Sequence, residues 1–199
     1  MKPGSGYSMF VVLLMVVGLA ITSLVFKLII GMFVGVACVV LIAKGFFFIY
    51  PNGSIVMTLF GVYKGTVKES GFYWANPFYM RKRISLRARN FDSDRVKVND
   101  KLGNPIMISV ILVWKVSETF KAAFEVDNYE NFVRVQTDAA VRKMAGSYPY
   151  DDWEDGEDYK ITLRSGMSEV NEALEKELGE RLEIAGIQVM EARIGYLAY

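Results

Sequence analysis

Between Met9 and Tyr50 only two residues carry charge, Lys27 and Lys44, and nearly everything else is apolar. A crossing helix needs about 20 such residues to span a hydrocarbon layer of roughly 30 Å. As one helix, residues 9–42 would extend about 50 Å, too long for a single crossing. The spacing therefore predicts two crossings with the turn at Lys27, a transmembrane helical hairpin. Its first helix is Met9–Phe26, and its second runs from Leu28 to Ile49 with Lys44 reaching toward the headgroups. Phe46, Phe47, Phe48 and Tyr50 then form an aromatic belt at the membrane interface. Gly31 and Gly35 have the spacing that lets helix backbones approach, although glycine is also simply common in membrane helices. The competing reading is a cleaved leader ending near Gly18-Leu19-Ala20. Against it, the apolar run continues well past that point. Both ends of a hairpin share one side. That side carries Lys2, Lys44, Lys64 and Lys68 against Lys27 alone, which puts the soluble part in the cytoplasm.

The remaining residues suit one domain of ordinary size with two lobes. With 23 Lys and Arg against 22 Asp and Glu, no global charge points to nucleic acid. The single cysteine, Cys38, forbids an internal disulfide. The absence of histidine removes the commonest general base and metal ligand. No phosphate loop, HExxH, GxSxG or cysteine-rich spacing is present, so no catalytic, cofactor or metal residue is assigned.

From Pro51 the pattern changes. Ser54–Leu59, Gly71–Trp74, Ile84–Phe91, Val96–Val98 and Ile106–Val116 are β-prone, separated by turn residues such as Asn52-Gly53, Gly61, Gly65 and Asn99–Pro105. A short helix through Phe120 and Phe124 follows. A second is capped by Asn128 and ends at Gly146. The third places Leu163, Met167, Val170, Leu174, Leu178 and Leu182 on one stripe, with Gly186 just beyond. Glu172–Lys176 and Glu177–Arg181 are i,i+4 pairs on its solvent side. Ile187–Ala192 and Ile194–Leu197 return to β. The predicted fold class is α+β, with a mostly antiparallel β-layer packed with helices. The predicted parts are the anchor at 1–50, a β-rich first lobe at 51–116 and a helical and β second lobe at 117–199.

Four stretches carry a resemblance: VMTLFGVYKGTVKESGFYWANPFY (56–79), NDKLGNPIMISVILVWKV (99–116), FEVDNYENFVRVQTDAAVRKMAG (124–146) and LEKELGERLEIAGIQVMEARIGYLAY (174–199). From about Pro51 onward the chain resembles the SPFH (band 7) family: stomatins, prohibitins, flotillins and their bacterial relatives. The resemblance implies a membrane-anchored domain that assembles into homo-oligomeric rings or cages and organises lipids or membrane enzymes. Family members usually continue into a long coiled coil. None follows here, so the resemblance implies either a piece of a longer chain or a weakened ring contact.

Three clusters are candidate contacts. Arg81, Arg83, Arg87 and Arg89 alternate, so a strand there would put four guanidinium groups on one face. That face suits lipid phosphates or the acidic surface of another subunit, or is an ordinary wet strand face. Phe72, Tyr73, Trp74, Phe78 and Tyr79 crowd a glycine-proline stretch. They divide between core and membrane interface, with Trp74 the interface candidate. The acidic run Asp151, Asp152, Glu154, Asp155, Glu157 and Asp158 lacks the twelfth-position acid of a calcium loop, where Thr162 stands. It reads as a solvated loop whose Asp158 caps the next helix, or as a subunit contact through Asp151, Asp152 and Asp155. The function predicted is a membrane-anchored oligomeric scaffold acting on the lipid bilayer and on copies of itself. The alternatives are a regulatory subunit holding a membrane protease or channel, and a membrane hydrolase.

Overall fold

The computed structural model describes residues 3–25, 29–151 and 161–199. They form two units, Met1–Ser85 and Leu86–Tyr199.

In the first unit β1 (Gly4–Ser5) leads into α1 (Gly6–Val25), which is followed by α2 (Ile29–Gly45) and β2 (Phe46–Ile49). Then come β3 (Gly53–Leu59), β4 (Val62–Val67), β5 (Gly71–Trp74) and β6 (Met80–Ser85). One antiparallel sheet has the order β1-β5-β2, with Gly4 and Phe46 both opposite Trp74, and Ser5 and Phe47 both opposite Tyr73. The residues that precede α1 and those that follow α2 thus flank one strand. Higher up, α1 packs on α2 where Gly35 meets Ala20: a Cβ on Gly35 would lie 2.8 Å from that of Ala20. Gly35 therefore serves close backbone approach. The turn predicted at Lys27 lies outside the described residues.

The second apolar helix is shorter than predicted. It stops at Gly45, and Phe46–Ile49 is a strand because these aromatic and β-branched residues pair with β5. The other sheet has the order β4-β3-β6. Phe47, Ile49, Ile55, Met57, Val67 and Ala75 form one buried cluster, against which Tyr73 and Tyr79 pack.

The predicted strand Ile84–Phe91 is not continuous. β6 ends at Ser85 and pairs with β3, whereas β7 (Arg89–Asp92) pairs with β9 in the second unit. Strands that join different sheets require a break between them, and Leu86–Ala88 supplies it.

In the second unit β8 (Val96–Asn99) and β9 (Pro105–Val116) precede α3 (Thr119–Phe124), α4 (Tyr129–Ala145) and α5 (Met167–Leu182). A 3-10 turn, Glu183–Ala185, leads into β10 (Ile187–Ala198). The antiparallel sheet runs β10-β9-β7, with β8 paired to the start of β9. β10 is one strand rather than two, with irregularities around Met190 and Gly195. Alternation along β9 buries Ile106, Ile108, Val110, Leu112, Trp114 and Val116. Val133, Ala140 and Val141 of α4 and Val170, Leu174, Leu178 and Leu182 of α5 are buried with them. Leu163 is buried in the turn before α5, while Met167 is exposed. Since β9 and β10 share a sheet, residues 105–116 and 187–198 belong to one unit.

Local chemistry accounts for the helix ends. The Asn128 side chain accepts hydrogen bonds from the Glu130 and Asn131 N–H groups, each 3.0 Å. Glu177 does not face solvent alone. It accepts from Arg181 Nε at 2.6 Å and from Lys143 Nζ of α4 at 2.8 Å, tying the two helices together. Gly186 adopts φ +66°, and a Cβ there would stand 2.4 Å from the Glu118 carbonyl oxygen. Its own carbonyl accepts the Ser117 and Glu118 N–H groups, each at 3.0 Å. Gly186→Ala is therefore expected to destabilise the second unit by more than about 1 kcal/mol. Gly179→Ala, with open space around it inside α5, is expected to stabilise by about 0.5–1 kcal/mol. Thermal melts of the two variants check both signs; equal shifts would refute the account.

Candidate functional site

The candidate site of the first unit is the junction where the apolar helices meet the sheets. At the C-terminus of α2 the last carbonyls lack helical partners. Arg81 of β6 supplies them. Its Nη2 faces the carbonyls of Gly45 at 3.1 Å, Lys44 at 3.3 Å and Ala75 at 3.4 Å, and its Nη1 faces that of Phe46 at 3.3 Å. A cation there also complements the negative end of the helix dipole. The guanidinium lies 4.8 Å from the centre of the Phe47 ring. Burial lowers the Arg81 pKa from its ordinary value, without threatening its charge at neutral pH.

Trp74 completes the junction. Its indole N–H donates to the Ile42 carbonyl at 2.9 Å, and the ring crosses Gly45 so closely that a Cβ there would lie 2.2 Å from the indole nitrogen. Phe72 stacks on Phe46 at 5.3 Å, and Tyr7 meets Phe72 edge-on at 5.6 Å. The predicted interface residues therefore divide. Phe48 and Tyr50 are exposed and Phe46 and Trp74 half-buried, but Phe47 is buried in the core cluster. As a strand, residues 46–49 send alternate side chains to opposite faces, so Phe47 cannot join a belt with Phe48.

The four arginines do not share one strand face. Arg81 and Arg83 are on β6, while Arg87 and Arg89 belong to the second unit. Arg83 is exposed and stands 5.7 Å from the Phe48 ring. Arg89 pairs with Glu130 and lies over the rings of Trp114 and Tyr129. Arg81→Ala is expected to lower stability by roughly 1–3 kcal/mol, because it strips the side-chain donors from the Lys44, Gly45 and Phe46 carbonyls. Arg83→Ala is expected to cost under about 1 kcal/mol, the scale of an exposed cation–ring contact. Melting in a mild detergent distinguishes them, and equal losses would refute the assigned role of Arg81.

Of the acidic run, only Asp151 is among the described residues, and it pairs with Arg164 at 2.6 Å. Asp152, Glu154, Asp155, Glu157 and Asp158 lie outside them, including the cap predicted at Asp158. A second acidic surface was not read from the sequence. It is a groove of about 510 Å³ between α5 and the start of β10, lined by Glu118, Glu172, Glu175 and Glu183 with Lys176.

Asp100 was also missed, although the turn-forming Asp-Lys-Leu-Gly-Asn run was the available signal. Its buried carboxylate accepts the N–H groups of Asn104 at 2.7 Å, Leu102 at 2.9 Å and Tyr150 at 2.9 Å. It thereby binds the β8–β9 loop to the segment that carries Asp151. Burial pushes its pKa up, but the donors from Tyr150, Asn104 and Leu102 outweigh this and hold it below the ordinary aspartate range. A depressed carboxyl pKa stabilises the fold above the unfolded value of about 4, and that contribution fades as pH falls through the folded value. Asp100→Asn is expected to lose about 1–2 kcal/mol at pH 7. The difference should shrink on acidification below the unfolded pKa. A gap independent of pH would rule out the charge-based account.

A family model described as SPFH domain / Band 7 family matches residues 48–199. No curated protein is similar enough to stand as a relative. The match begins inside β2 and runs through β10, taking in the β4-β3-β6 sheet, the sheet of the second unit and that unit's three α-helices. Most of the chain is covered, and the chain belongs to the SPFH domain / Band 7 family.

Proposed function

We propose that this protein is a membrane-anchored scaffold that assembles with copies of itself and organises the surrounding lipids or membrane proteins. The observation that carries this reading is the surface of the apolar helices. α1 is long and apolar enough to cross a membrane, and none of its apolar window is buried by protein. Leu14, Met15, Leu19, Ile30 and Phe33 are all exposed. Such a surface needs hydrocarbon around it. α2 is shorter, about 25 Å, so its crossing depends on Lys44 reaching to the headgroups and on local thinning. The flanking of β5 by β1 and β2 supports a hairpin, since it brings the start of α1 and the end of α2 to one level. The lysine distribution favours a cytoplasmic soluble part. Family members are generally non-enzymatic scaffolds, which favours this reading over a hydrolase. Holding a membrane protease or channel is the alternative use of the same scaffold.

For assembly, we assign the exposed Arg83 of the first unit and, separately, the exposed Arg87 of the second to acidic surfaces of a neighbouring subunit. A heterologous contact of this kind generates a ring where its rotation closes. Confinement by the anchor raises the effective concentration of subunits. The acidic partner is either the run at Asp152 and Asp155 or the α5 groove. Because Asp151 already holds Arg164, it contributes less.

Mass photometry of the full chain in mild detergent is expected to give a homo-oligomer well above a dimer. Arg83→Glu with Arg87→Glu should dissociate it. Partial restoration by Asp152→Lys with Asp155→Lys identifies the acidic run, and restoration by Glu172→Lys with Glu175→Lys identifies the groove. A monomer from the intact chain would refute assembly. Cysteine labelling near Gly4 and Asn99 tests topology, and opposite sides at the two sites would refute the hairpin.

A further inference from the structure

The turn between β3 and β4 has the wrong residue for its backbone. Leu59 pairs with Val62, so Phe60 and Gly61 form a two-residue hairpin turn, with φ +48° and +83°. Both turn positions need the left-handed region, where Asn-Gly is the favoured sequence. A phenylalanine there is disfavoured, since its Cβ crowds the following carbonyl. No burial offsets this, because Phe60 is 84% exposed. A strained aromatic held in water by a well-formed turn points to a role outside the folded core.

Phe60 is not isolated. Val62, beside it on β4, is 57% exposed. Met80 of β6 is opposite Thr58, at the same end of the sheet, and is 70% exposed. Phe78 is 60% exposed and is raised on a turn in which the Asn76 side chain accepts the Phe78 N–H at 3.0 Å. Around these four apolar side chains the charge has one sign. Lys64 and Lys82 are exposed, and neither 58–67 nor 78–85 contains an acidic residue. One part of the patch, the turn that bears Phe78, also lies near the start of α1. The turn bearing Phe78 borders a cavity of about 330 Å³, shared by Asn76, Tyr79 and Met57 with Pro3, Ser8 and Met9.

From this we infer that the β3–β4 turn is a membrane finger: Phe60, with Val62, Phe78 and Met80, inserts into the interface of an anionic phospholipid bilayer while Lys64 and Lys82 meet the headgroup phosphates. The inference rests on the anchor proposed above and adds a second membrane contact to it. The occupant is the bilayer holding the anchor, because the turn that carries Phe78 shares a cavity with the start of α1 through Asn76 and Tyr79. An apolar tip ringed by cations also matches anionic lipid in both polarity and charge.

The test uses the full chain with Cys38→Ser, reconstituted into vesicles of phosphatidylcholine and phosphatidylglycerol. An environment-sensitive fluorophore is placed on Val62→Cys, and in a separate sample on Leu14→Cys. The Val62 label should be quenched by lipids spin-labelled near the headgroup and protected from aqueous iodide. Adding Phe60→Asn should raise its iodide quenching several-fold. The same substitution should raise the melting temperature by roughly 2–4 °C, since it relieves the turn. A Val62 label open to iodide while the Leu14 label is quenched by deep spin labels overturns the finger and leaves the anchor. Iodide access at both sites overturns the anchor and the finger together. A Val62 label protected from iodide but not quenched by any lipid assigns the patch to a second copy of the chain and overturns the lipid assignment. A lower melting temperature for Phe60→Asn makes Phe60 a folding residue and likewise overturns the inference.

Discussion

The first unit depends on one short strand. β5 is four residues long, yet it accepts β1 on one edge and β2 on the other. Backbone hydrogen bonding is obligatory for buried strands, so each of these segments fixes the position of the others. Because β1 leads into α1 and β2 leaves α2, the pairing sets where two apolar helices begin and end relative to the sheets. Arg81 and Trp74 secure the same place with side chains. One meets the terminal carbonyls of α2, and the other donates to Ile42 one turn earlier. The polar needs of a helix end and the packing needs of an aromatic cluster are met at one location.

The second unit has a different organising element. β9 is twelve residues long, and each even-numbered side chain from Ile106 to Val116 is buried. That period-two pattern presents one apolar face, which α4 and α5 cover with their own 3.6-residue stripes. The ends are closed by specific groups rather than by bulk burial. Gly186 turns the chain from α5 into β10 while its carbonyl holds Ser117 and Glu118. Asp100 fastens the loop before β9 to the segment near Tyr150.

Exposed ion pairs contribute little individually. In the second unit, however, Glu177 joins two helices because it reaches Lys143 and Arg181 at once. On β6 the distinction lies between neighbours. Arg81 is committed to backbone carbonyls, while Arg83 stands exposed beside Phe48.

The sequence alone determined the elements whose signal is periodic or chemically local. The apolar helices follow from composition, β9 and the α5 stripe from their periods, and the start of α4 from a single capping asparagine. The SPFH resemblance came from long patterned stretches spanning both units. What the sequence could not decide was where pairing overrides pattern. Residues 46–49 continue an apolar run, and only the presence of β5 beside them makes them a strand. The alternation of Arg81, Arg83, Arg87 and Arg89 suggested one face. The strand breaks at Leu86–Ala88 because its two halves pair with β3 and with β9. Phe60 and Asp100 show the same limit from the other side. A phenylalanine before a glycine and an aspartate in a turn are ordinary as sequence. Their meaning comes from a left-handed backbone at one and three converging N–H groups at the other, which are properties of residues brought together by the tertiary fold.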